Sequence, residues 1–225
     1  MSSAQSSHPG DTLKVTEVQT NNSGSTVYFT DGAVLFVPAN LASSYSFIDG
    51  QMISEAERDA ARMSIERYVI RNKSIELLAR REHSVLELRR KLQKRYPDAT
   101  RIPEVLDELQ TDGLLDNRRF AEAFVRSRLK RAGTSTAKLI AELGARGVDR
   151  RDVELSIKEV FKDEEYNEFA LLARAIQKLW PNSVEKSDIM KLRHKLLRRG
   201  FKGLDIEKEI GRQLEKLGAE FRQDD

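Results

Sequence analysis

The sequence predicts a mainly α protein: an elongated tandem array of three three-helix repeats preceded by a small N-terminal module that contains a β-hairpin. Three observations carry this. Residues 11–53 are rich in Val, Thr, Phe and Tyr and are punctuated by turn residues, as short strands require. From Ser54 onward the apolar period becomes helical, with Ala, Leu, Glu, Lys and Arg dominating. The helical part also repeats itself at spacings of 51 and 53 residues.

In the first segment, Leu13 to Val18, Thr26 to Thr30 and Ala33 to Val37 read as strands. Asn22-Ser23-Gly24 and Asp31-Gly32 are the turn signals between them. Asp31-Gly32 suits a two-residue turn needing positive φ, which makes the last two strands a hairpin. A lone hairpin is marginal in water, so the module is expected to gain a strand, dock on a helix or be mobile.

In the helical part, Lys138, Leu139, Leu143, Arg146, Gly147, Val148, Val153 and Ile157 recur 53 residues later as Lys191, Leu192, Leu196, Arg199, Gly200, Phe201, Ile206 and Ile210. A shift of 51 in the other direction lays Leu88, Leu92, Arg95, Ile102, Leu106 and Leu109 on Leu139, Leu143, Arg146, Val153, Ile157 and Val160. Repeats of this size signal stacked helical modules. The punctuation divides each copy into three helices. In the first, a long helix ends near Arg81, Ser84 and Glu87 make a capping box for a helix through Arg95, and a third helix from about Pro103 stops at Gly113. In the second, Asp116 caps a helix to about Lys130, Gly133 breaks it, and Ser135 stands where Ser84 stood. Gly147 then supplies a left-handed stop and Asp149 the next cap. Trp180-Pro181 and Gly200 are the breaks of the third copy. The implied organisation is a disordered tail over 1–10, the β-rich module over 11–53, repeats over 54–113, 114–162 and 163–217, and a polar tail over 218–225. The Leu pairs 88/92, 139/143 and 192/196 lie at i and i+4, hence on one helix face, and read as core. Phe120, Phe124, Val125 and Trp180 are read as core as well.

Composition narrows the function. With 33% charged residues, no long apolar run survives, so no membrane span is expected, and the polar first ten residues do not read as a secretory signal. A soluble cytoplasmic protein is the expectation. There is no Cys, which excludes disulfides, thiolate nucleophiles and Cys-ligated metal. His8, His83 and His194 are the only histidines and are far apart, so neither a metal nor another cofactor is expected. No phosphate-binding Gly-rich loop or Gly-x-Ser-x-Gly elbow occurs, and no carboxylate pair stands out as acid and base. The chain does not read as an enzyme.

Net charge is only +3, yet residues 80–101, 118–150 and 186–202 carry +5, +6 and +6. Residues 102–116 run the other way, with five acids, Glu104, Asp107, Glu108, Asp112 and Asp116, and no base. A helix-turn-helix reader inserts its third helix into the major groove, and an acidic third helix would be repelled there. The cations sit instead on the second helices and the ends of the first. They are Arg89, Arg90, Lys94 and Arg95; Arg126, Lys130, Arg131, Lys138 and Arg146; and Lys191, Lys195, Arg198, Arg199 and Lys202. Stacked repeats would align them into a stripe able to follow a phosphate backbone or an acidic protein groove. Solvated helix faces balanced by neighbouring acids are the competing reading.

The ordered set Arg81-Glu82-His83-Ser84, Glu87-Leu88, Lys91-Leu92, Leu109, Gly113-Leu114-Leu115-Asp116, Arg119-Phe120-Ala121, Glu142-Leu143 and Arg146-Gly147-Val148 resembles the RecX family of recombination regulators, over about residues 60–216. Asn117 departs from the pattern, which often has a second Asp there, and so does the acidic linker Asp163-Glu164-Glu165. The resemblance implies a non-catalytic monomer that binds the RecA recombinase filament and inhibits its strand-exchange, ATPase and co-protease activities. It thereby modulates recombination and the SOS DNA-damage response. The basic stripe would then contact RecA and, non-specifically, single- or double-stranded DNA. A RecA-independent DNA-binding helical-repeat protein is the alternative, and a scaffold whose β module carries the partner site is a third.

Overall fold

The structure, a computed structural model, describes residues 12–130, 134–163, 166–182 and 184–220. The expected N-terminal tail, Gly133 and Glu164-Glu165 lie outside these residues. Two compact units are distinguished: Met1–Leu77 with Leu92–Leu109, and Leu78–Lys91 with Gln110–Asp225.

In the first unit, β1 (Thr12–Asn21), β2 (Gly24–Phe29), β3 (Val34–Pro38) and β4 (Met52–Ser54) form an antiparallel sheet in the order β3-β2-β1-β4. Alternation sends Leu13, Val15, Val27, Phe29, Leu35, Val37 and Ile53 to one face, where they share a core with Ala61 and Ile65 of α1 (Glu55–Arg80). The expected hairpin is thus the β2–β3 pair. It gains strands on one side and a helix on one face, which offsets the marginal stability of an isolated hairpin. The turn differs in detail from the expectation. Phe29 N donates to Ala33 O at 3.1 Å, so the loop is Thr30-Asp31-Gly32 rather than two residues, with Gly32 at φ +82°. Asp31 Oδ1 accepts from Ala33 N at 2.9 Å, and its other oxygen is paired with Arg58 of α1. The hydrogen bond from Ala33, with help from Arg58, holds the Asp31 carboxyl below its ordinary range. β4, which periodicity did not reveal, is three residues long and pairs Thr12 with Ser54 and Leu13 with Ile53. Ser54 and Glu57 then open α1 as a reciprocal capping box: Glu57 N donates to Ser54 Oγ at 3.2 Å and Ser54 N to Glu57 Oε2 at 2.8 Å.

The remaining helices are α2 (Val85–Arg95), α3 (Ile102–Thr111), α4 (Asn117–Lys130), α5 (Thr136–Gly144), α6 (Arg150–Asp163), α7 (Glu168–Leu179), α8 (Lys186–Arg198) and α9 (Gly203–Glu220). With α1, they make the three-helix pattern three times among the described residues. The acidic α3 has a local reason for its charge, because Arg67 of α1 lies 2.7 Å from Glu108 and 3.9 Å from Glu104. Arg101 adds a further pair to Glu104 at 2.8 Å.

In the second unit, caps fall where small polar residues allow them. Asp116 accepts from the backbone of Arg118 and Arg119 at 2.7 and 3.0 Å, Ser135 from Lys138, Asp149 from Arg151, and Asn167 from Ala170. Asn117, the departure from the family pattern, serves a different helix: its Oδ1 accepts from Val85 N, at the start of α2, at 3.0 Å. The apolar stripes of α4 to α9 merge into one core that includes Phe120, Val125, Leu139, Leu143, Val153 and Ile176, and continues through Leu192, Leu196, Phe201 and Ile206. Trp180 packs on its edge, half-buried. Leu143 has no exposed surface, so Leu143→Ala is expected to lower the free energy of unfolding of the full chain by about 2–5 kcal/mol through lost burial and a cavity. Urea denaturation followed by circular dichroism measures this.

Candidate functional site

The predicted cations divide by whether the fold already uses them. Arg89, Arg90 and Lys94 on α2, Lys130 at the end of α4, Lys195 and Arg198 on α8, and Lys202 are exposed and form no ion pair among the described residues. Arg95 is exposed beside the Tyr96 ring, its guanidinium carbon 6.0 Å from the ring centre. Lys191 is 2.9 Å from Asp188 with a largely exposed side chain. Arg126 and Arg199 are half-buried and have partners within the chain. Arg131 lies outside the described residues. On α8, Lys191, His194, Lys195, Leu197 and Arg198 line one shallow groove of about 430 Å³, where three of the predicted cations come together. The positions of Lys195 and Arg198 correspond to Lys91 and Lys94 in the first repeat but to Glu142 and Ala145 in the second. The free charge on second helices is therefore concentrated on α2 and α8.

Lys138 and Arg146 are used structurally, at a junction between repeats that occurs twice. At the first junction, Ser84 Oγ accepts from Glu87 N at 3.1 Å, capping α2, and donates to the Arg146 carbonyl at 2.7 Å. The Glu87 carboxylate does not return to the Ser84 backbone as a full capping box would. It pairs with Arg81 at 3.0 Å and Arg146 at 3.4 Å. Gly147, at φ +74°, sits so close to Leu86 that an added Cβ would lie 2.8 Å from the Leu86 Cβ. At the second junction, one repeat on, Ser135 caps α5, and its backbone N donates to the Arg199 carbonyl at 3.2 Å. Lys138 Nζ donates to the Arg198 carbonyl at 3.0 Å. A Cβ on Gly200, at φ +85°, would meet Ser135 Oγ at 2.5 Å. Each junction thus seats the left-handed turn that ends the second helix of one repeat on the N-cap of the second helix of the repeat before it. Only glycine combines positive φ with this approach.

The first junction continues into a polar–aromatic cluster that the sequence reading did not assemble. The Arg146 and Arg128 guanidinium carbons lie 4.6 and 4.8 Å from the centre of the Phe124 ring, within cation–π range. Arg128 Nη2 is 2.8 Å from Glu142 Oε2, an ion-pair distance without hydrogen-bond alignment. Arg119 Nε is 2.6 Å from Glu82. Phe120, Phe124, Arg81 and Glu82 line a pocket of about 250 Å³ beside this cluster. The available signal was the alignment itself, which equates Ser84 with Ser135 and Arg146-Gly147 with Arg199-Gly200.

His83, 1% exposed, lies between Arg81 and the Glu87 carboxylate, with its Nδ1 3.4 Å from Glu87 Oε2. Burial, reinforced by the positive charges of Arg81 and Lys91, pushes its pKa below the ordinary 6.5, against the pull of Glu87.

The chain is similar to known proteins. Residues 71–109 match the first three-helix domain of RecX and residues 116–155 the second. The chain is 43% identical over 90 residues to the regulatory protein RecX of Pseudomonas entomophila strain L48, a stretch covering 40% of this chain and 57% of that one. It is 42% identical over 90 residues to that of Pseudomonas putida, covering 40% and 63%. The matched stretch therefore spans less than two thirds of these relatives' lengths. A crystal structure of regulatory protein RecX superposes with a TM-score of 0.58 at 17% identity, covering 87% of this chain and 97% of that one. The RecX structure from Lactobacillus salivarius gives 0.52 at 19% identity, covering 65% and 96%. At such identities these two likenesses speak to the fold.

Three outcomes are expected. Gly147→Val, which forces a β-branched residue into a left-handed turn against Leu86, should destabilise the full chain by about 1–3 kcal/mol, and Ser84→Ala by about 0.5–2 kcal/mol, in urea titrations. His83 resists protonation in the folded state, whereas the unfolded chain takes up the proton near 6.5. Stability should therefore fall as pH drops through that value, and a His83→Gln variant should lack this part of the decline between about pH 8 and pH 5.5.

Proposed function

The chain belongs to the family of RecX regulatory proteins, and from that premise we propose that it binds the RecA nucleoprotein filament and restrains strand exchange, ATP hydrolysis and co-protease activity. Its role is that of a binding protein acting on recombination and the DNA-damage response. The observation that carries this reading is the set of exposed, unpaired cations on α2 and α8, of which Lys94 and Arg198 stand at positions equivalent by the repeat. Ion pairs within the chain would have left those side chains structural; solvated and unpaired, they are available to acidic protein surfaces or phosphates. Repetition adds avidity, since a second contact forms at high effective concentration once the first is made. The residues that make the contact in this reading are Arg89, Arg90, Lys94, Lys130, Lys195, Arg198 and Lys202, together with Arg95 and Lys191. Lys138 and Arg146 act indirectly by holding the repeats in register.

DNA binding without RecA is the second reading, and the α8 groove favours it, because three cations on one helix face suit a phosphodiester backbone. Such binding would weaken steeply with salt.

RecA-dependent ATP hydrolysis on single-stranded DNA should fall when the protein is added at one copy per several RecA protomers. Reversing Arg89, Arg90, Lys94 and Arg95 to Glu should relieve that inhibition without unfolding the chain, since exposed helix charges contribute under about 1 kcal/mol each to stability. Unchanged hydrolysis with the unaltered protein, together with salt-sensitive retention of DNA on a filter, would favour the second reading.

A further inference from the structure

Because the sheet runs in the order β3-β2-β1-β4, β3 is an edge strand, and among the described residues no strand lies beyond it. Phe29 N donates to Ala33 O at one end of the β2–β3 ladder, and Ala39 N donates to Ser23 O at the other. Antiparallel pairs alternate between bonded and non-bonded, so Leu35 and Val37 are the residues bonded to β2. The N–H and C=O groups of Val34 and Phe36 therefore point away from the sheet. The side chains of these two residues are 56% and 46% exposed, on the face opposite the core. Sheet edges are commonly blunted by charged side chains. Here Gly32 to Ile48 carries no charged residue, and only Pro38 closes one end of the strand. Beside the edge, Ala33, Val34 and Leu35 share a cleft of about 350 Å³ with Arg58, Asp59 and Arg62 of α1.

We propose that the β3 edge is a docking site for an extended segment of a partner protein, which adds to the sheet as a further antiparallel strand with the pattern apolar–acidic–apolar. The two apolar residues pair with Val34 and Phe36, exchange main-chain hydrogen bonds with them and lay their side chains alongside on the outer face. The residue between them stands opposite Leu35, and its side chain points to the α1 side of the sheet, into the cleft. Charge in the cleft selects an acid there. Arg58 is held by Asp31 and, at 3.3 Å, by Asp59. Asp59 is thus engaged, whereas Arg62, its side chain 63% exposed, reaches Asp59 only at 3.7 Å. A carboxylate from the added strand would complete the coordination of Arg62. A second copy of this chain is the poorer occupant. Pairing through all the outward groups of both edges would set Leu35 opposite Leu35, where it stays in its own core and leaves Arg62 without a carboxylate. The surface lies wholly within the first unit, and the inference goes beyond the RecA reading without resting on it.

The probe is a fluorescein-labelled, end-capped peptide of sequence Gly-Thr-Val-Glu-Val-Thr-Gly. Its anisotropy should rise saturably as the full chain is added. Bound peptide should slow hydrogen exchange at the Val34 and Phe36 amides and change Leu35 and Val37 little, since those two are already bonded to β2. N-methylation of both valines, whose N–H groups face β3, should weaken binding by about tenfold or more, while N-methylation of the glutamate, whose N–H faces away, should not. Arg62→Glu, at an exposed position, should leave the melting temperature nearly unchanged and reverse the preference, so that a peptide with lysine in place of glutamate binds better. The proposal is overturned by a flat anisotropy up to millimolar peptide, by unchanged exchange at Val34 and Phe36, or by equal binding of the valine-methylated peptide. Equal binding of the glutamate peptide by Arg62→Glu overturns it as well. So does a concentration-dependent dimer in sedimentation that protects Val34 and Phe36 without peptide, because the occupant is then a second copy.

Discussion

A left-handed glycine turn seated on the capping serine of the preceding repeat is the constraint from which much of the second unit follows. Three-helix modules of this size bury too little surface to stand alone, so what fixes them is their contact with a neighbour. Hydrophobic stripes supply the driving force for that contact but little direction. Direction comes from the backbone. The carbonyls ending one helix must find donors, and Ser84 Oγ, Ser135 N and Lys138 Nζ provide them from the repeat before. Gly147 and Gly200 permit the approach because they lack a side chain and accept positive φ. The same residues that stop a helix therefore set the register between repeats, and α4 to α9 share one core in consequence.

The charge pattern divides along the same line. Some cations are structural elements of a junction, as Lys138 is on the Arg198 carbonyl and Arg146 is between Glu87 and the Phe124 ring. Some acids are likewise local partners, as Glu104 and Glu108 are to Arg67. On α2 and α8, Arg89, Arg90, Lys94, Lys195 and Arg198 remain exposed without an ion pair among the described residues. A net charge of +3 conceals this, because acids elsewhere in the fold cancel it.

Much of the fold was legible because it rests on local signals. Ser135, Asp116 and Asp149 are caps in the sequence and in the structure, and Gly147 and Gly200 are stops in both. Leu88 and Leu139, read as core from their spacing, are fully buried. What escaped was non-local. β4 is too short to show a period of two and exists because β1 offers it an edge. The extra residue in the Thr30-Gly32 loop depends on the Phe29–Ala33 pairing, which composition does not encode. At the candidate site, exposure followed from helical spacing for Arg89, Lys94 and Lys195. The engagement of Lys138 and Arg146 depended on contacts made more than fifty residues away and across a repeat boundary in both cases.

Hydrogen exchange at the Ser135 amide tests the junction most directly, because that amide belongs to the second repeat while its acceptor, the Arg199 carbonyl, belongs to the third. In the full chain under native conditions it should open with the same free energy as core amides of α8 such as Leu196, since both are released only when the two repeats part. Exchange at the rate of an unprotected loop amide, with α8 still protected, would contradict the account: the repeats would then be held by their apolar stripes alone.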